Sequence, residues 1–184
     1  LQTGISVRLN NGMNFTFADL TRGLKYGGDL DRMMTFYRDA FGFELVGEPF
    51  EWEKEPVLDR LIDVPGSAAR GAMMRGGGCY VEMFEFTAPQ PDSAEPKSPY
   101  DKGYTHFCID VASDIAGEYE RLQALGMTFG ADAPIDMGHV KSVYGRDPEG
   151  NVIELQQTAD HCDFRLDALG EKLSALIWDG PIET

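Results

Sequence analysis

One short pattern occurs twice in this chain, and it limits the fold more than any other feature. Gly78-Cys79-Tyr80-Val81-Glu82-Met83, near the middle, is matched by Gly150-Asn151-Val152-Ile153-Glu154-Leu155 near the end. Each copy is a turn glycine leading into a strand with one carboxylate among apolar neighbours. Upstream of each lies a second matching pair. Residues 21–43 hold a strand, Asp29, a helix and Ala40-Phe41-Gly42-Phe43; residues 106–127 hold a strand, Asp114, a helix and Ala124-Leu125-Gly126-Met127. A repeated strand–helix–strands unit predicts two equivalent modules with ligands gathered between them. Glu82, His106 and Glu154 are therefore the first residues to consider for chemistry.

The punctuation of the chain fills in the modules. Leu20, Leu24 and Tyr26 fall at strand spacing before Gly27-Gly28. Asp29 is suited to cap a helix, because its carboxylate can accept from open first-turn amides. Leu30, Met33, Met34, Tyr37 and Phe41 follow at helical intervals, and Gly42 is a stop signal. A strand is expected at 43–46, an irregular acidic stretch with a loop or short helix at 49–65, and a hairpin of 68–74 with 79–86 around Gly76-Gly77-Gly78. Prolines 89, 91, 96 and 99 mark an extended linker. The second module repeats the order: strand 105–111, helix 114–125, strand near 127–130, then a hairpin of 139–145 and 151–157. Phe164, Leu166, Leu169, Leu173, Leu176 and Ile177 predict an amphipathic helix over 164–178. The expectation is an α+β single domain over 1–184, with βαβββ modules at 20–87 and 104–158. A linker at 88–103 joins them, an N-terminal extension precedes them, and a helical tail covers 159–184.

Composition removes several function classes. A net charge of −15 opposes binding to nucleic acid phosphates; its plain reading is solubility. No apolar run approaches the roughly 18–20 residues that span a bilayer. Three cysteines, Cys79, Cys108 and Cys162, lack Cys-x-x-Cys spacing and form no disulfide framework. Free thiols suit a reducing, cytoplasmic setting. The start at Leu1 rather than Met keeps export after leader removal as the alternative.

Alternation along strands sorts the side chains by face. Tyr80, Glu82 and Phe84 oppose Val81 and Met83; His106, Cys108 and Asp110 oppose Phe107, Ile109 and Val111; Val152, Glu154 and Gln156 oppose Ile153 and Leu155. The apolar sets belong under the helices, so the polar sets share the other face. One imidazole and two carboxylates make a mixed N/O donor set for Fe(II), Mn, Co, Ni or Zn.

These strings resemble the vicinal oxygen chelate superfamily, which includes glyoxalase I, methylmalonyl-CoA epimerase, extradiol dioxygenases and bleomycin-resistance proteins. Asp29-Leu30-Asp31-Arg32 with Phe36-Tyr37-Arg38-Asp39-Ala40-Phe41-Gly42-Phe43 is similar to its first helix. Val81-Glu82-Met83-Phe84-Glu85-Phe86 resembles its first metal-carboxylate strand. Thr105-His106-Phe107-Cys108-Ile109-Asp110-Val111 and Arg146-Asp147-Pro148-Glu149-Gly150-Asn151-Val152-Ile153-Glu154-Leu155 resemble strands of the second module. The resemblance covers residues 20–157 and implies modules curled into a cupped mixed β-sheet around a divalent metal, within a homodimer. It also implies metal ligands at Glu82, His106 and Glu154. The family's first-strand ligand is replaced: Thr21 stands opposite His106 by one alignment and Arg22 by a one-residue shift. Either a three-ligand site or a metal-free binding cup follows.

The implied activity is proton transfer on a small carbonyl compound through an enediolate, in the manner of a glyoxalase-type lyase or an epimerase-type isomerase. Glu82 or Glu154 would double as base. Substrate-contact candidates are Thr21, Lys25, Tyr80, Phe84, Cys108, His139 and Tyr144, with Trp52 as a further wall residue. Each has a plain alternative in core packing or the solvated rim, as do Glu85 and His161. A ring-cleaving dioxygenase and a non-enzymatic sequestering protein are the alternative functions. In every case the partner is a small molecule, with no nucleic acid or membrane.

Overall fold

The computed structural model describes residues 16–18, 29–76, 79–89, 98–100 and 106–161. The expected tail helix at 164–178, the strand residues 20–26 and most of the linker lie outside them. The repeat expected from the sequence is present as two sheets with the same strand order. The first is built from β1 (Thr16–Ala18), β2 (Glu44–Glu53), β3 (Ala68–Gly76) and β4 (Cys79–Ala88), in the order β1-β4-β3-β2. The second uses β5 (His106–Asp110), β6 (Thr128–Phe129), β7 (Ile135–Asp136), β8 (Val140–Arg146) and β9 (Val152–Thr158). Its order is β5-β9-β8-β6, with β7 also paired to β8. In each sheet the leading strand runs parallel to the last, and all other pairs are antiparallel.

Local chemistry sets the helices. In α1 (Leu30–Phe41) the Asp29 carboxylate accepts from Arg32 N at 2.8 Å, and Gly42 ends the helix at φ +69°, where a side chain would be strained. In α3 (Ile115–Ala124) Asp114 plays the same capping part toward Gly117 N. Between them α2 (Pro56–Ile62) begins on a proline, which lacks the amide that a first helical turn cannot use.

One expectation changes. The stretch from residue 49 is not irregular, because β2 continues through Pro49 to Glu53. Pro49 is tolerated because β2 is an edge strand and carries a bulge between Val46 and Phe50, with Gly47 at φ +71°. A strand is described at Thr16–Ala18.

The apolar faces meet in one core. Leu30, Met33, Tyr37 and Phe41 of α1 join Met74, Val81 and Met83 of the first sheet and Ile109, Val143, Ile153 and Leu155 of the second, all buried. Polar ties cross the same junction. The Tyr37 hydroxyl donates to Asp147 Oδ2 at 3.0 Å. Arg121 of α3 donates to the Asp39 and Ala40 carbonyls at the open end of α1, at 3.2 and 2.6 Å, while chelating its own Glu118. Charge of that sign belongs at a helix C-terminus.

Candidate functional site

Strand register makes the two repeat-matched carboxylates true counterparts. In the second sheet Glu154 of β9 lies between Cys108 of β5 and Tyr144 of β8. In the first, Glu82 of β4 lies between Ala18 of β1 and Met73 of β3. Val81, Met83, Ile153 and Leu155 are buried in the core while Glu82 and Glu154 are half-buried on the opposite faces. The same register sets Thr16 in the position of His106: Thr16 pairs with Tyr80 as His106 pairs with Val152. Thr21 and Lys25 lie outside the described residues.

The second sheet gathers a compact polar cluster. His106 Nε2 stands 3.4 Å from Glu154 Oε2 and 3.2 Å from the Tyr144 hydroxyl, the tautomer deciding whether the imidazole or the phenol donates between His106 and Tyr144. The Ser142 hydroxyl donates to Glu154 Oε1 at 2.6 Å. Burial, then the negative charges of Glu154 and Asp110, push the Cys108 thiol up to about 12, so it lines the site as a neutral group and is no nucleophile. Burial and the Glu154 carboxylate likewise raise the Tyr144 phenol, which stays protonated.

Two donors held by one ion at about 2.1 Å each, at octahedral to tetrahedral angles, stand roughly 3.0–3.4 Å apart. The 3.4 Å between His106 Nε2 and Glu154 Oε2 falls in that range, which is also the range of a direct imidazole–carboxylate contact. The expected trio of Glu82, His106 and Glu154 is not assembled, however. Among the described residues no group of three or more His, Cys, Asp or Glu side chains is close enough to hold an ion. The physical reason is that Glu82 and the pair belong to separate sheets with no ladder joining them among the described strands. Register holds neighbours within a sheet but says nothing across that gap. Burial raises the pKa of Glu82.

The remaining candidates separate by position. Phe84 is buried in an aromatic wall on the Glu82 face, with Phe50 stacked on Trp52 at 6.1 Å and Phe84 edge-on to Trp52 at 5.5 Å. Trp52 Nε1 donates to Ser67 Oγ, which fixes the ring. Phe50 was missed from sequence because a strand beyond Pro49 was not anticipated. Tyr80 is half-buried beside Arg75. His139 is exposed before β8, whose Val140 pairs with Thr158. That is four residues past Glu154, roughly 13 Å along the strand, so His139 is remote from the pair. Ser142 escaped notice, although it shares a face with Tyr144 two residues on. Glu85 pairs with Arg70 at 3.2 Å.

A family model for the Glyoxalase/Bleomycin resistance protein/Dioxygenase superfamily matches residues 23–155. The chain belongs to that superfamily. It is 33% identical over 133 residues to a 2-epi-5-epi-valiolone epimerase from Actinomyces sp., covering 69% of this chain and 72% of the relative. It is 35% identical over 68 residues to biphenyl-2,3-diol 1,2-dioxygenase 2 of Rhodococcus globerulus, covering 36% of this chain and 35% of that one. A glyoxalase family protein from Bacillus cereus shares the fold at a TM-score of 0.59 and 24% identity, over 71% of this chain and 87% of the other. The vicinal oxygen chelate fold expected from the motifs is thus present. No helix among the described residues is long and apolar enough to cross a membrane.

Proposed function

We propose that this superfamily member is a divalent-metal-dependent epimerase-type enzyme that removes and returns a proton beside the carbonyl of a small molecule, through an enediolate. The observation that carries this is the His106–Glu154 pair, spaced at 3.4 Å as two ligands of one ion would be. The epimerase relative, 33% identical, supports the reaction class. A divalent ion (Zn, Ni, Co, Mn or Fe), when bound, would supply Lewis-acid stabilisation to a substrate oxygen. His106 and Glu154 would hold it. Glu82, raised by burial and standing outside the pair, is better matched to base than to ligand. The protonated Tyr144 hydroxyl orients a substrate oxygen, and Cys108, Tyr80 and the Phe84 wall exclude water. A homodimer belongs to the same reading, tested by sedimentation.

Elemental analysis and proton exchange test the assignment together. His106→Ala and Glu154→Ala should each abolish stoichiometric metal and stop deuterium uptake from D2O into the carbon beside a hydroxyketone carbonyl. Retention of metal by both variants overturns the site. A ring-cleaving dioxygenase is the second reading, favoured by the 68-residue match and by an aromatic wall suited to stacking a catechol. Oxygen uptake with catechols separates the two. Tight ligand binding by metal-free protein without turnover marks a sequestering protein instead.

A further inference from the structure

We infer that Phe50 and Trp52 of β2 are specificity-determining residues: they select a hydroxyketone built on a six-membered ring over an open-chain one. This rests on the reading of Glu82 as the base and names the substrate class for it. Cross-strand register lays out the surface. Phe50, Gly71 and Phe84 form one row across β2, β3 and β4, and Trp52, Ala69 and Phe86 form the next. Each row sets a small residue between two aromatic ones, so rings from both flanks close over the middle strand. The two β2 rings lie within 17° of parallel, with centroids 6.1 Å apart. Phe50 meets Phe84 at 78° and Trp52 meets Phe86 at 87°, with centroids 6.2 and 6.0 Å apart. The result is an aromatic corner whose β2 side still reaches solvent, Phe50 being 40% exposed. A grouped, exposed apolar patch of that kind marks a ligand surface.

The Trp52 ring is fixed before any ligand arrives. Its indole N–H can only donate, and it donates to Ser67 Oγ at 2.7 Å. The Ser67 proton is thereby directed to Asp59 Oδ1, at 2.6 Å. Asp59 also accepts from the Gly66 and Ser67 amides, at 2.7 and 2.9 Å; these bonds, that from the Ser67 hydroxyl foremost, hold its carboxyl below the usual range. With its single polar atom committed, the indole offers an apolar face and loses little freedom when a ligand covers it. Glu82 precedes Phe84 on the same face of β4, by two residues or roughly 7 Å along the strand. A substituted six-membered ring spans that distance, laying its apolar face on the corner while its acidic carbon turns to the carboxylate. Aromatic walls beside one well-placed polar group are the usual make-up of a small-molecule site. An open chain loses more rotational freedom in making the same contacts. A catechol has no C–H beside a carbonyl for Glu82 to take, so the ring is a saturated one.

The test compares 2-hydroxycyclohexanone with 4-hydroxy-3-hexanone, an open chain of the same carbon number, by calorimetry on the full chain. The cyclic ketone should bind at least about fivefold more tightly, and Trp52→Leu and Phe50→Leu should each cut that ratio about two- to tenfold. Trp52→Phe, which keeps an aromatic face, should preserve most of it. Thermal melting checks that each variant folds. Equal affinity for the two ketones, failure to bind either, or a ratio that survives both leucine variants overturns the inference. So does a Trp52→Phe variant that behaves as Trp52→Leu. Deuterium uptake by the same two ketones separates this inference from the reading beneath it. If neither ketone exchanges while the binding ratio and its loss in the variants persist, Glu82 is not the base and ring selection stands. If both exchange with no ratio, ring selection alone falls.

Discussion

Glu82 and Glu154 hold the same place in two copies of one sheet, yet their surroundings assign them different work. Glu154 is ringed by His106, Ser142 and Tyr144, groups that direct a carboxylate. Glu82 is flanked in register by Ala18 and Met73, and burial raises its pKa. A raised carboxyl is a stronger base once ionised, and it must be ionised to take a proton. Exchange activity should therefore rise with pH through a titration above the usual glutamate range and level off beyond it. Glu82→Gln should remove that limb and lower exchange at least about 10²-fold. Metal content should stay at the wild-type level, which pH–rate profiles and elemental analysis can check. A variant that loses its metal would return Glu82 to the ligand set.

At the scale of elements, the aromatic wall depends on a glycine. A Cβ added at Gly71 of β3 would meet Phe50 Cζ at 2.5 Å and Phe84 Cδ1 at 3.1 Å, so the rings lie over bare backbone. Gly71→Ala should displace the Phe50 ring, alter the environment of Trp52 and cost about 1–3 kcal/mol. Trp fluorescence and urea denaturation read both effects. The helices were legible because caps and 3.6-residue periodicity are local: Asp29, Gly42 and Asp114 act as expected. The extent of β2 was not. Pro49 reads locally as a breaker, and only its place at a sheet edge makes it compatible with a strand.

At the scale of the molecule, the turn Asp147-Pro148-Glu149-Gly150 does more than reverse the chain. Asp147 is buried and accepts from Tyr37, from Asn151 Nδ2 and from the Glu149 and Asn151 amides, clasping the second module to α1. Burial raises its pKa, while each of these bonds lowers it. Because the folded pKa is raised, the stability linked to Asp147 is fully present below the unfolded value and is lost as pH rises through the folded one. Tyr37→Phe removes one bond to the ionised form. Its cost, about 1–3 kcal/mol, should be greater at pH 7 than at pH 3, as paired denaturation curves would reveal. The duplication, the helix positions and the inward and outward faces of each strand were determined by the sequence itself, since periods of 2 and 3.6 residues are written into any short window. Tertiary structure decided which of those residues meet. His106 and Glu154 come together by register between strands over forty residues apart, Glu82 stays in another sheet, and Tyr37 finds Asp147 across 110 residues. Such distances depend on how separate elements pack around a shared core, and no local period encodes that.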